Sequence, residues 1–383
     1  MTLPLEGLRV IAVEQAVSAP FCTRQLADLG ADVIKIERPG EGDFARGYDQ
    51  VMHGESAYFA WLNRGKRSVE LDIRSEPGRS QLGALVRGAD VFVHNLVPGA
   101  IERLGLGYEA VRADAPRLVW AGISGFGPDG PYRDRKAYDM LVQAEAGIVA
   151  MTGTPEAPAK VGISIADIGS RMYAYSSILA ALLRRGRTGE GSRIDISMFE
   201  CMTEWMTPPL YTWLGAGRVP ARTGVRHNMI VPYGAYPCAD GDVLFAIQSD
   251  GEFRRLATAV LLQARLADDP RFATNAARLA NRELLEALIE ATFVELTADT
   301  VVERLDAAGL ASARVNEVPT VAGHPQLVAR DRWVTVDSPS GLIPALRPPH
   351  NIAGVEAPMG RVPALGESTR AVLDALEAQG KRS

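Results

Sequence analysis

The sequence predicts an α/β fold: a parallel sheet covered on both faces by helices, followed by a smaller second domain of different character. Three observations carry this. Short β-branched runs alternate with amphipathic stretches from Gly7 to Ile123, and strands spaced by helices in this way make parallel sheets. The chain has 383 residues, more than one hydrophobic core usually serves. After Asp195 the pattern changes to a Pro/Gly-rich stretch, a hairpin signal and a run of helices.

Leu8 to Val13 reads as the first strand, Phe21 to Leu29 as a helix stopped by Gly30, and Val33 to Ile36 as the second strand. Helix Ala57 to Leu62, strand Ser68 to Ile73, helix Arg79 to Val86 and strand Val91 to His94 follow, and a helix near Ala110 leads into strand Leu118 to Ile123. The apolar run Val161 to Ala166 reads as strand-like, and Ile168, Met172, Tyr175, Leu179, Leu182 and Leu183 recur at helical spacing up to Gly186. Met206 to Gly224, with Pro208, Pro209, Gly215, Gly217 and Pro220, reads as a linker. Asp240-Gly241 marks the turn of a hairpin between Gly234 to Cys238 and Val243 to Ile247. Helices are expected at Glu252 to Leu266, Glu283 to Phe293 and Thr297 to Ala308. A Pro/Gly-rich tail from Thr335 to Pro363 then precedes a last helix, Ser368 to Ala378.

Bulk properties narrow the function. A formal net charge of -5 gives no reason to expect nucleic acid as a partner. Cys22, Cys201 and Cys238 form neither a disulfide framework nor a CxxC pair, which fits a reducing cytoplasm. Glu14 and Gln15 interrupt the apolar N-terminal run, so neither a signal segment nor a membrane partner is expected. Gly125, Gly127 and Gly130 satisfy GxGxxG, but Pro128 and Pro131 break the turn and a charged stretch follows where an apolar helix is needed, so a dinucleotide site is rejected. His53, His94, His227, His324 and His350 show no metal-ligand spacing, and no metal is expected.

Two features point to chemistry. Arg38, Lys66, Arg67, Arg103, Arg135 and Lys136 recur at or near strand ends, favouring a phosphate-rich ligand over scattered surface charge. Asp167 stands where the strand-like run turns into a helix, and the helix dipole there favours an ionised carboxylate able to attack a carbonyl. Asp is equally a preferred N-cap, so position alone leaves both roles open.

The segments EQAVSAPFCTRQLADLGADVIKIERPGEGD, NRGKRSVELD, ADVFVHNLVPGAIERLGLGYE, SGFGPDGPYRDRKAYDM and KVGISIADIGS, followed by RTGEGSRIDISMFE, resemble the class III CoA-transferases, the family of formyl-CoA transferase and carnitine CoA-transferase. The resemblance spans nearly the whole chain. It implies a Rossmann-like large domain built from both chain ends, a smaller α+β domain, and two subunits interlocked as a homodimer. In this chain the large domain would occupy residues 1–200, a linker 201–225, the small domain 226–320 and the return to the large domain 321–383.

The resemblance also assigns residues. Asp167 matches the family's nucleophile, which forms an acyl-aspartyl anhydride and then an aspartyl-CoA thioester. Coenzyme A enters as substrate, and no permanently bound cofactor is implied. Its contacts carry over to Val17, Ser18, Arg38, Asn63, Arg64, Gly65, Lys66, Asn95, Leu96, Val97, Arg103, Arg135, Lys136, Ala137 and Tyr138. Formyl-CoA transferase has glutamine at the position of Val17 and histidine at that of Gln15, and its glycine-rich loop is replaced here by Arg226 to Gly234. The chain looks most like members that pass CoA from succinyl-CoA to itaconate, mesaconate or similar small dicarboxylates. Gln15, Arg226 and His227 are the expected substrate contacts, the last two receiving a distal carboxylate. Two rival readings are an α-methylacyl-CoA racemase, disfavoured because Ala137, Tyr138 and Asp139 supply no imidazole, and a non-catalytic CoA-binding protein.

Overall fold

The computed structural model describes residues 2–380. Strands β1 (Arg9–Val13), β2 (Asp32–Glu37), β3 (Arg67–Glu70), β4 (Val91–His94), β5 (Val119–Ser124) and β6 (Ser192–Ser197) form one parallel sheet in the order β3-β2-β1-β4-β5-β6. Successive strand residues face opposite layers. Val10, Val33, Val93 and Ala121 pack against Cys22, Leu26, Ala174 and Ile178 of helices Ser18–Asp28 and Ile165–Thr188. Ile11, Ile34, Phe92 and Trp120 pack on the other face with Leu82 and Val86 of helix Glu76–Arg87 and Val372 of helix Thr369–Gly380. Burial on both faces explains why β1 and β4 are almost continuously apolar, while Lys35 within β2 is buried by pairing with Asp43 and Glu14. Edge strand β6 alternates polar and apolar residues, and the sequence reading passed over it.

By internal contacts the chain divides into two compact units. One gathers the residues up to Ile148, Val161–Pro208 and those from Gln326 on; the other comprises Val149–Lys160 and Pro209–Pro325. In the second unit, β7 (Tyr233–Cys238), β8 (Gly241–Ala246) and β9 (Ala311–Arg314) form an antiparallel sheet. Its core joins Tyr236, Phe245, Phe253, Leu285, Ile289, Phe293 and Val301. The single helix expected from Glu252 to Leu266 is broken: helix Asp250–Arg255 runs into a π turn, Leu256–Val260, and ends where Leu262 takes φ 56°. The stretch read as a linker is helical over Thr207–Ala216. Pro208 and Pro209 fall in its first turn, where the missing N–H groups cost nothing.

In the first unit the tail returns to the sheet. Glu70 N donates to Thr369 Oγ1 at 2.9 Å, and Gly65 N donates to Arg361 O at 2.8 Å. The Pro/Gly-rich tail is not irregular throughout, since β10 (Trp333–Ser338) and β11 (Gly341–Leu346) pair as a hairpin. No helix among the described residues is long and apolar enough to cross a membrane.

Candidate active site

Asp167 lies in the first turn of helix Ile165–Thr188, and the run Val161 to Ala166 expected as strand-like forms no strand. The expected capping role belongs elsewhere: N-cap Ser164 makes no side-chain cap bond. Asp139 supplies the cap from the start of helix Asp139–Glu145, its Oδ1 accepting the N–H of Ala166 at 2.8 Å and of Asp167 at 3.1 Å. Buried Gln143 braces this cap, donating Nε2 to Asp139 Oδ2 at 2.7 Å and accepting Val161 N on Oε1 at 3.0 Å. The sequence reading noted Asp139 only as a neighbour; its signal was the Asp/Gln spacing of four on one helical face.

The Asp167 side chain is 16% exposed, and its Oδ2 stands 3.6 Å from Arg171 Nη2. Burial pushes its carboxyl up to about 6, with Arg171 drawing it down and Asp139 raising it. This corrects the expectation that the helix terminus would hold it low: burial outweighs the terminus, whose N–H groups at Ala166 and Asp167 are taken by Asp139. Roughly nine in ten such groups are still ionised at pH 7.

The turn after β1 is built with comparable care. Ala16 takes φ 60°, a left-handed conformation costly for alanine, and Asp43 Oδ1 holds its N–H at 2.9 Å. Asn95 clamps the adjacent peptide, accepting Gln15 N at 3.0 Å and donating to Gln15 O at 2.8 Å and Ser18 Oγ at 3.1 Å. Beneath, Lys35 donates to Asp43 Oδ2 at 2.8 Å, and Lys66 donates to Glu14 Oε1 at 2.6 Å and Asn63 Oδ1 at 3.0 Å. Burial alone would raise Glu14, but Lys66, Lys35 and Thr23 hold it below the usual carboxylate range.

These bonds revise several expected CoA contacts. Lys66 is sealed in the interior with its carboxylate and cannot face a phosphate. Arg64 is likewise buried against Asp28, and Asn63 and Asn95 are spent on positioning. The side chains of Val17 and Ser18 are buried, leaving backbone to face outward. Gly65 takes φ 78° where the chain passes close to the returning tail.

A cleft of about 660 Å³ opens at the carboxyl ends of β1 to β4, lined by Gln15, Ile36, Arg38, Leu71, Arg74, Leu96 and Arg103 among others. The strand order reverses between β1 and β4, the point where open α/β sheets bind ligands. An apolar floor rimmed by three arginines suits a nucleotide bearing phosphates. Arg74, directly after the expected strand Ser68 to Ile73, is a cleft residue that the sequence reading did not name. Val97 is 67% exposed but does not line the cleft. Arg135, Lys136, Ala137 and Tyr138 end the loop after β5, outside the cleft lining; Arg135 pairs with Glu145 at 3.0 Å and Ala137 packs under Gly125. Burial, then the charges of Asp43 and Asp167, push the Tyr48 phenol up to about 12, and its ring stacks edge-on with Tyr58 at 5.7 Å.

Arg226 and His227 have other partners. Within the second unit Arg226 binds Glu286 at 2.5 Å, binds Glu290 as well, and lies over the Tyr236 ring. His227 Nδ1 accepts the N–H groups of Met229 and Ile230, both at 3.1 Å, and its ring stacks on Tyr233. A substrate carboxylate would have to displace two glutamates from Arg226.

A family model described as "CoA-transferase family III" matches residues 5–369. A succinate–glutarate CoA-transferase of Agrobacterium fabrum is 35% identical over 384 residues, 98% of this chain and 96% of the relative. An acetyl-CoA:oxalate CoA-transferase of Acetobacter aceti is 36% identical, covering 94% of this chain and 91% of its own. A crystal structure of a CAIB/BAIF family protein from Brucella suis superposes with a TM-score of 0.87 at 37% identity, covering 98% of this chain and 100% of that one.

Proposed function

Because the chain belongs to CoA-transferase family III and is a CoA-transferase, we propose that it moves CoA from succinyl-CoA to a small dicarboxylic acid, with Asp167 as nucleophile. The observation that carries the reading is Asp167 itself: a partly open carboxylate, fixed through its own backbone N–H and largely ionised at neutral pH.

In the first step an Asp167 oxygen attacks the thioester carbonyl. A C–O bond forms, the C–S bond breaks, and the electron pair leaves on sulfur as CoA thiolate. The thiolate then attacks the aspartyl carbonyl of the anhydride, forming the aspartyl-CoA thioester and releasing the donor acid as carboxylate. An acceptor carboxylate reverses both steps, and Asp167 recovers its charge. The cleft bounded by Arg38, Arg74 and Arg103 would take the nucleotide end of CoA. The succinate, glutarate and oxalate in the names of the relatives support an acceptor of the dicarboxylate class, within which we propose itaconate or mesaconate. We take an interlocked homodimer in the cytoplasm as the working form.

The test is acceptor exchange. Purified protein is incubated with succinyl-CoA and, in turn, oxalate, glutarate, mesaconate and itaconate, and new CoA thioesters are separated by chromatography. A new thioester with at least one acid supports the reading; hydrolysis without exchange contradicts it.

A further inference from the structure

We infer that Arg171 is a positioning residue that makes acid binding conditional on the state of Asp167: a free carboxylate is drawn to the site only once Asp167 has given up its charge to a covalent bond. The inference rests on the proposed nucleophilic role of Asp167.

Arg171 lies one helical turn behind Asp167 with its side chain 0% exposed. Its Nε, Nη1 and Nη2 have no hydrogen-bond partner among the described residues. The Phe21 ring lies 5.3 Å from the guanidinium carbon, and the neighbouring Arg24, 4.8 Å from the same ring, is committed to Asp28. The remaining charged or titratable groups acting on Arg171 are Asp139 and Cys22, of which Asp139 is occupied by its cap. Asp167 is therefore the near counter-charge of a cation that is otherwise unsatisfied, an unusual expense inside a protein.

The reaction changes that balance. In the free enzyme Asp167 and Arg171 cancel, so a free acid meets no net attraction. After attack on the donor, the side chain at position 167 is a neutral anhydride or thioester, and its negative charge has passed to thiolate and then to donor carboxylate. Burial lowers Arg171 only to about 10 beside charged Asp167, and a guanidinium stays protonated at neutral pH throughout. Its uncancelled field holds the anion beside the aspartyl carbonyl until exchange, and it then favours the incoming carboxylate over water. Charge is conserved in each step.

A double-mutant cycle tests this at equilibrium, without turnover. Asp167→Asn stands in for the discharged state, and binding of free succinate is measured by equilibrium dialysis on the full chain. Asp167→Asn alone should tighten succinate binding by about tenfold, and in that background adding Arg171→Met should weaken it again by about tenfold. Arg171→Lys, which keeps the charge, should restore most of the loss and guards against a mere packing effect in the methionine variant. No tightening by Asp167→Asn, no loss on adding Arg171→Met, or no rescue by lysine overturns the inference. If Asp167→Asn still transfers CoA, the nucleophile reading beneath it fails first.

Discussion

Asp139 Oδ1 and the Asp167 backbone nitrogen are 3.1 Å apart, so the residue assigned as nucleophile is held by its main chain from a separate helix while its carboxylate stays available. Asp139→Ala should remove the cap and the Gln143 brace together. The expected cost is about 1–2 kcal/mol in chemical denaturation and roughly tenfold or more in kcat, with the KM for acyl-CoA little changed. Asp139→Asn keeps an acceptor oxygen and should recover most of the stability.

The acid limb of the rate profile should belong to Asp167. Only the ionised carboxylate attacks, so kcat/KM should fall as pH drops below about 6. Because Asp139 raises this group, Asp139→Asn should move the limb to lower pH, whereas Arg171→Met should move it higher. The linkage to stability has a definite sign. A carboxyl raised from 3.8 to about 6 holds its proton more tightly in the folded state, so its contribution to stability declines as pH rises through that window. Steady-state kinetics from about pH 5 to 8 reads the limb directly.

The buried cluster under the first turn should govern folding rather than chemistry. Glu14→Gln leaves Lys66 without a carboxylate and Lys35 with Asp43 alone, and breaking such a buried pair costs about 3–5 kcal/mol, readable from urea unfolding. Glu14 has a depressed folded value, so its stabilisation is present above its ordinary 4.5 and is lost as pH falls through that folded value.

The arginines should separate by unit. Arg74→Ala and Arg103→Ala, on the cleft, should each raise the KM for acyl-CoA by about tenfold with kcat within about twofold, more steeply at low salt. Arg226→Ala should leave the KM for dicarboxylates unchanged, because its guanidinium is taken by Glu286 and Glu290. Its effect should appear as lower thermal stability.

The parallel sheet was legible because β1 and β4 are buried on both faces and read as apolar runs, and because Val33, Ile34 and Ile36 mark β2 around its buried Lys35. Strand β6 and the β10/β11 hairpin were not: their residues are half exposed, and Pro344 sits within a strand. At the site, Asp167, Arg38 and Arg103 could be named from position at element ends. Asp139, Gln143 and Arg171 could not, since their roles depend on which groups long-range packing leaves paired or unpaired. Lys66 shows the converse, a cation beside a strand whose charge was absorbed by Glu14, 52 residues away in sequence.

The most direct measurement is covalent trapping. The protein is incubated with succinyl-CoA, quenched with hydroxylamine, digested and sequenced by mass spectrometry. A hydroxamate at Asp167, absent when the thioester is omitted, is the predicted result; an unmodified Asp167 in protein that is actively exchanging CoA would contradict the account.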